Sequence, residues 1–231
     1  RLEHKLTDDQ RALYDAMAKG WQYALRNIQD ALEVTGGQGN SQARGAAVSA
    51  FWGAHQRFFN QVITAMQTPA MINSIEADLK AGRSVVIQLT NTLQAAQDRE
   101  LAKRQQGEDL EDYDITPRDI LMQLIEHTFP VQQYEEYMDE NGNIRSRQVL
   151  DSKGNPVINK EAEQMRERLL DELGSISVPS SPLDMVINHF GTRMVAEVTG
   201  RTQRVIEKVM DDGSTRKTVE RRGECARKAD I

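Results

Sequence analysis

Ser84-Val85-Val86-Ile87-Gln88-Leu89-Thr90-Asn91-Thr92 opens after Ala81-Gly82-Arg83 and carries four apolar residues, three of them β-branched, before ending on polar groups. A short apolar run bounded in this way predicts a buried strand at Ser84–Leu89. A polar, alanine-rich stretch follows and predicts a helix from Thr92 to about Gln106. In open α/β sheets, ligands bind beyond the carboxyl ends of strands. The segment is therefore expected as an interior strand of a parallel sheet, with Thr90 and Asn91 at its tip.

Toward the amino terminus the chain reads as helix. Thr7-Asp8-Asp9-Gln10 has the form of a capping box, and Leu13, Met17, Trp21, Leu25, Ile28 and Leu32 follow at helical spacing. Gly36-Gly37 predicts the stop, and residues 36–45 read as a loop. A second helix is expected to carry Val48, Phe51, Trp52, His55, Phe59, Val62 and Met66. Thr68-Pro69 predicts the start of a third, with Ile72, Ile75 and Leu79 inside.

Toward the carboxyl terminus, Thr116-Pro117 and Ser181-Pro182 repeat the hydroxyl-proline pattern ahead of apolar-periodic runs. The hydroxyl is expected to cap free amides, and proline sits where its missing amide costs nothing. Between these helices, Glu108 to Asp114 is acidic and expected to be exposed. Asp139-Glu140-Asn141-Gly142-Asn143 and Asp151-Ser152-Lys153-Gly154-Asn155 are turn signals, so residues 130–158 read as a hairpin-rich insertion. Asp211-Asp212-Gly213-Ser214 is a further hairpin signal, flanked by Arg204–Val209 and Thr215–Glu220.

The 231 residues suffice for one large or two small domains. The net charge of −6 argues against a wholly basic nucleic-acid coat but leaves room for a local basic groove. The single cysteine, Cys225, excludes an internal disulfide and suits a reducing, cytoplasmic setting. No apolar run approaches the ~20 residues of a membrane span. The polar start, Arg1-Leu2-Glu3-His4-Lys5, and the unclosed end at Ala229-Asp230-Ile231 suggest a piece of a longer protein.

The segment Gly191-Thr192-Arg193-Met194-Val195-Ala196-Glu197-Val198-Thr199-Gly200-Arg201-Thr202-Gln203-Arg204-Val205-Ile206 carries the second signal. With Phe51–Phe59 and the 84–92 stretch, it resembles the carboxy-terminal helicase region of the Strawberry Notch family. The likeness runs from about Leu6 to the end, and Ala196–Arg201 is its most specific part. These are helicase-like proteins of superfamily two. The chain most resembles the bacterial, plasmid and phage branch, where a DNA-methylase-like domain often shares the polypeptide.

The resemblance implies an α/β, predominantly helical fold: a partial RecA-like second helicase lobe with a helical amino-terminal segment and a hairpin-bearing insertion. The expected division is residues 1–82 as the helical segment and 83–231 as the lobe, with the insertion at about 107–180. It further implies ATP and magnesium in the parent protein, DNA as substrate, and the first helicase lobe of the same polypeptide as partner. The strand end at Thr90 and Asn91 would then face the nucleic-acid backbone, where a hydroxyl and an amide bond phosphate without reading sequence. Asn91 or Thr92 capping the next helix is the compatible local alternative. Arg201 and Arg204, after a Thr-Gly turn, could grip phosphate or an acidic partner, or be solvated or structurally paired. Arg193 adds weakly to that cluster.

Other chemistry finds little support. The phosphate-cradle pattern Gly-x-x-x-x-Gly-Lys-Ser/Thr is absent, so no cofactor is expected on this region itself and no ATP turnover by it alone. Gly36, Gly37 and Gly39 read as a linker. Phe51, Trp52, Phe58 and Phe59 read as core in preference to a base-stacking platform. His55 reads as a buried, hydrogen-bonded histidine. His4, His55, His127, His189 and Cys225 show no metal-ligand spacing. Glu135-Glu136 reads as solvated. A non-catalytic helical interaction module is the alternative function, favoured by the net acidity. A methyltransferase fragment has no supporting motif.

Overall fold

The structure is a computed structural model that describes residues 3–89, 116–199, 203–210 and 214–221. Its elements are α1 (Asp8–Val34), α2 (Ser41–Lys80), α3 (Arg118–Thr128), β1 (Tyr134–Met138), β2 (Ile144–Gln148), α4 (Lys160–Gly174), α5 (Pro182–Phe190), β3 (Gln203–Val209) and β4 (Thr215–Arg221). The two sheets are antiparallel pairs, β1–β2 and β3–β4. Two compact units result, each discontinuous in sequence. The first contains Arg1–Leu6, Phe59–Pro117 and Pro179–Ile231; the second contains Thr7–Phe58 and Arg118–Val178.

The second unit is built on α1. Thr7 accepts from the Gln10 amide at 3.2 Å and Gln10 Oε1 accepts from the Thr7 amide at 3.1 Å, completing the expected capping box. Met17, Trp21, Ala24, Ile28, Ala31 and Leu32 form its buried stripe. Against them lie Phe51 and Phe58 of α2, whose rings meet Trp21 edge-on at centroid distances of 5.3 and 5.2 Å. Such aromatic pairs add about 0.5–1.5 kcal/mol beyond area burial. Phe59 is buried too, but Trp52 is 52% exposed. The core reading therefore needs correcting at Trp52, which sits beside the buried stripe of α2.

Gly36 ends α1 in the left-handed conformation, with φ 72°. A Cβ there would stand 2.9 Å from the Tyr134 carbonyl oxygen, so glycine is required twice over. The last carbonyls of α1 are satisfied by the β1 region: the Tyr134 amide and Gln133 Nε2 donate to Thr35 O at 2.8 and 3.1 Å. Asn159 Nδ2 donates to Val34 O at 3.2 Å, while its Oδ1 accepts from the Ala162 amide to cap α4. Helix α4 was not anticipated from the sequence. It packs on α1 and α3 through Leu169 and Leu173. The expected loop at 36–45 is also shorter than read, because Asn40 accepts from the Ala43 amide at 2.9 Å and α2 begins at Ser41.

Both turn signals in 130–158 form as expected. Asp139 accepts from the Asn141 and Asn143 amides at 3.0 and 2.8 Å, and Asp151 from Lys153 and Asn155 at 2.8 and 2.9 Å. Gly142 and Gly154 take positive φ in the same place of each turn. Amide donation from Asn143, then the Arg145 side chain, holds the Asp139 carboxyl below its usual range.

In the first unit, Thr68-Pro69 does not start a helix, contrary to expectation. Helix α2 runs through Pro69 to Lys80. Val62, Ala65, Met66, Ile72 and Ile75 stay buried at helical spacing on both sides of the proline. That continuous stripe offsets the ~3 kcal/mol an interior proline costs. Ser181-Pro182 does open α5, but the buried Ser181 hydroxyl has no hydrogen-bond partner, so it does not act as the expected cap.

Candidate nucleic-acid interface

The interface expected from the sequence falls on the first unit. Helix α2 ends there on Gly82, with φ 73°, and the Gly82 and Arg83 amides donate to Leu79 O and Asp78 O at 2.9 and 3.0 Å. Arg83 is held at this corner by Asp78, whose Oδ1 accepts from Nε at 3.0 Å.

Beyond the corner, Ser84–Leu89 has no strand geometry, and Val86 is 95% exposed. The expectation of an interior strand is overturned for this segment. A strand is fixed by its neighbours, and among the described residues no ladder partner lies beside it. The strand-tip residues Thr90 and Asn91 lie outside the described residues, as do Thr92, the expected helix to Gln106, and the acidic stretch Glu108–Asp114.

The second segment starts from α5. His189 on that helix bonds Glu76 of α2 at 2.8 Å, tying the two helices together within the unit. Gly191 closes α5 at φ 77°, with its amide on Ile187 O at 2.8 Å. A turn over 192–194 follows, leaving Arg193 and Met194 exposed. In the Ala196–Arg201 motif, Val198 is 86% exposed and the Thr199 hydroxyl donates to Glu197. Gly200 and Arg201 lie outside the described residues.

Arg204 enters β3, opposite Glu220 on β4. Of the four expected contact residues, only Arg204 is therefore placed, and its position is a ladder position in a hairpin. The same register puts Glu207 opposite Lys217 and Lys208 opposite Arg216. This last pair was not singled out from the sequence. Counting outward from the Asp211–Ser214 signal sets Lys208 opposite Lys217, one residue out of the observed register, because the Met210 amide donates to Ser214 O and the ladder closes one residue earlier.

The glycine-rich turn is closely packed. Gly36 and Gly37 pack against Tyr134 and Gly39 against Glu136, so closely that a side chain's Cβ at these positions would stand 2.9 to 3.5 Å from those residues. Among the described residues, no group of three His, Cys, Asp or Glu could hold a metal ion. No helix among them is long and apolar enough to cross a membrane. Glu135 and Glu136 are exposed as expected, with Glu135 paired to Arg147 at 2.7 Å. His55 lies edge-on to Trp21 and Trp52 at 5.2 and 5.3 Å, and burial pushes its pKa down.

The chain is similar to protein strawberry notch homolog 1 of Rattus norvegicus, 24% identical over 267 residues. That match covers 87% of the chain and 20% of the rat protein. The human homolog 1 is 30% identical over 119 residues, covering 51% of the chain and 8% of that protein. Protein FORGETTER 1 of Arabidopsis thaliana is 28% identical over 98 residues, or 42% of the chain and 7% of that protein. These likenesses support a Strawberry Notch-like relationship. The chain thus spans a fifth or less of the length of these relatives. No family model matches the chain, and no solved structure matches it.

Proposed function

We propose that the chain is part of an ATP-dependent DNA helicase or translocase of superfamily two, of the Strawberry Notch type. In this reading it belongs to the second, RecA-like lobe. It supplies nucleic-acid backbone contacts and scaffold, while ATP and magnesium are handled by other parts of the parent protein. The observation that carries the reading is the likeness to strawberry notch proteins, which extends over 87% of the chain in one relative. The bacterial, phage or plasmid methylase-associated setting and a cytoplasmic location complete the proposal. Thr90, Asn91, Arg201 and Arg204 are the proposed contacts. Hydroxyl, amide and guanidinium groups bond phosphate oxygens without reading bases.

Binding of the 231-residue chain to labelled oligothymidylate, titrated against salt, tests this. Weak, sequence-independent binding with a shallow log-log slope is expected, because phosphate contacts release counterions. Arg201→Ala and Arg204→Ala should each lower that slope by up to about one unit. Asn91→Ala should weaken binding and leave the slope nearly unchanged. Absence of binding at every salt concentration would sink the reading. It would favour the alternative of a non-catalytic helical interaction module, to which the exposed Trp52 on α2 already lends support.

A further inference from the structure

In the β3–β4 ribbon the register brings like charges together. Opposite residues of an antiparallel ladder share a face, with Cα atoms about 4.5–5.5 Å apart. Arg204, Ile206 and Lys208 of β3 stand opposite Glu220, Thr218 and Arg216 of β4. That face holds three cationic residues and one acidic residue at six ladder positions. The chain as a whole has the reverse balance, with 29 basic and 35 acidic residues.

The arrangement works against the hairpin by itself. Like charges directly opposite destabilise a strand pair. A two-stranded ribbon is already marginal in water. Elsewhere in the ladder Arg204 stands opposite Glu220, Glu207 opposite Lys217, and Arg221 opposite the neutral Gln203. Lys208 opposite Arg216 is the one like-charge pair in this register. An anion laid across the pair would remove the repulsion and gain a charge-assisted bond to each residue. Arg204 lies four residues along from Lys208, about 13 Å at ~3.3 Å per residue. An extended row of positive positions on an open ribbon matches an extended polyanion better than a compact ligand.

We propose that the ribbon face carrying Arg204, Lys208 and Arg216 is a contact surface for the phosphate backbone of single-stranded nucleic acid. This rests on the nucleic-acid reading above and extends it to Lys208 and Arg216. The contact is sequence-independent, with arginine gripping phosphate through its planar fork and lysine acting as a point charge.

The test is the double variant K208Q/R216Q in the 231-residue chain, with fluorescein-labelled oligothymidylate as probe. Affinity should fall, and the salt slope should drop by up to about two units, one for each cation that no longer neutralises a phosphate. The Tm at low salt should stay level or rise, because a repulsion has been removed. E220Q should act oppositely and tighten binding. If the wild-type chain binds but the double variant keeps its affinity and slope, the ribbon is not the surface, and Thr90, Asn91 and Arg201 remain the proposed contacts. A variant that loses binding together with Tm would assign the two residues a structural role and overturn the inference. So would a wild-type chain that prefers phosphatidylserine vesicles to the oligonucleotide. A wild-type chain that binds no nucleic acid would remove both this inference and the reading beneath it.

Discussion

Phe51 and Trp52 are adjacent in sequence and opposite in environment. Phe51 is 1% exposed and touches Trp21, whereas Trp52 is 52% exposed. The residues Val48, Phe51, Trp52, His55 and Phe59 all fit one helical stripe, so spacing alone could not say which of them falls at its edge. Phe58 lies two turns on from Phe51 and is fully buried. Phe58→Ala should therefore destabilise by about 3–5 kcal/mol in urea unfolding. Trp52→Ala should cost under about 1 kcal/mol. Equal losses for the two would show that Trp52 is packed after all.

His55 adds a pH dependence at the same scale. Burial depresses its folded pKa, so folding favours the neutral ring. The associated stability is present above the unfolded value of about 6.5 and is lost as pH falls through the folded value. The Tm should thus decline as pH drops from about 7 toward about 5, and His55→Gln should flatten that part of the profile. An unchanged profile in the variant would remove His55 as its source.

At the scale of elements, what could be read from sequence was what is decided locally. The Thr7 capping box, the Asp-x-x-Gly-Asn turns and the β3–β4 hairpin each depend on a handful of adjacent residues, and each forms as expected. Ser84–Leu89 has strand-forming residues, but a strand is settled by its neighbours, which no local pattern specifies. Pro69 misled for a related reason: the apolar stripe continuing past it outweighs a local stop signal. Helix α4 did carry a local signal that the reading passed over: Asn159 is a favoured N-cap, and Ala162, Leu169 and Leu173 follow at helical spacing. Asn159 also bonds Val34 O and Gln133 Oε1 at 3.2 and 2.7 Å. Asn159→Ala should lower stability by at least about 1–2 kcal/mol, beyond the usual value of a single cap. A decrease under ~0.5 kcal/mol would mean those bonds contribute nothing net. The amides of Val85 and Val86 should exchange with solvent far faster than those of Phe58 and Val62 within α2. Slow exchange at Val86 would restore the interior-strand reading for this segment.

For the whole molecule, the two compact units are each assembled from separated stretches, and α2 runs through the division at Phe58–Phe59. Such discontinuity follows from long-range packing between stretches far apart in sequence, which no local pattern specifies. The distribution of chemistry is an expectation drawn from motifs. Phosphoryl transfer requires a phosphate cradle, a magnesium carboxylate and an arginine on the terminal phosphate, all positioned together. The chain has no Gly-x-x-x-x-Gly-Lys-Ser/Thr sequence, and its glycine-rich turn is packed against Tyr134. Mutating one member of a catalytic constellation commonly costs several orders of magnitude in rate, so a chain without a cradle should fall to background. The purified 231-residue chain should therefore show no magnesium-dependent ATP hydrolysis, with or without oligothymidylate, in a phosphate-release assay. Turnover that follows the protein through purification and responds to DNA would overturn the proposed division of labour. The phosphate-binding groups would then have to come from residues to which neither the sequence motifs nor the described structure assigns that role.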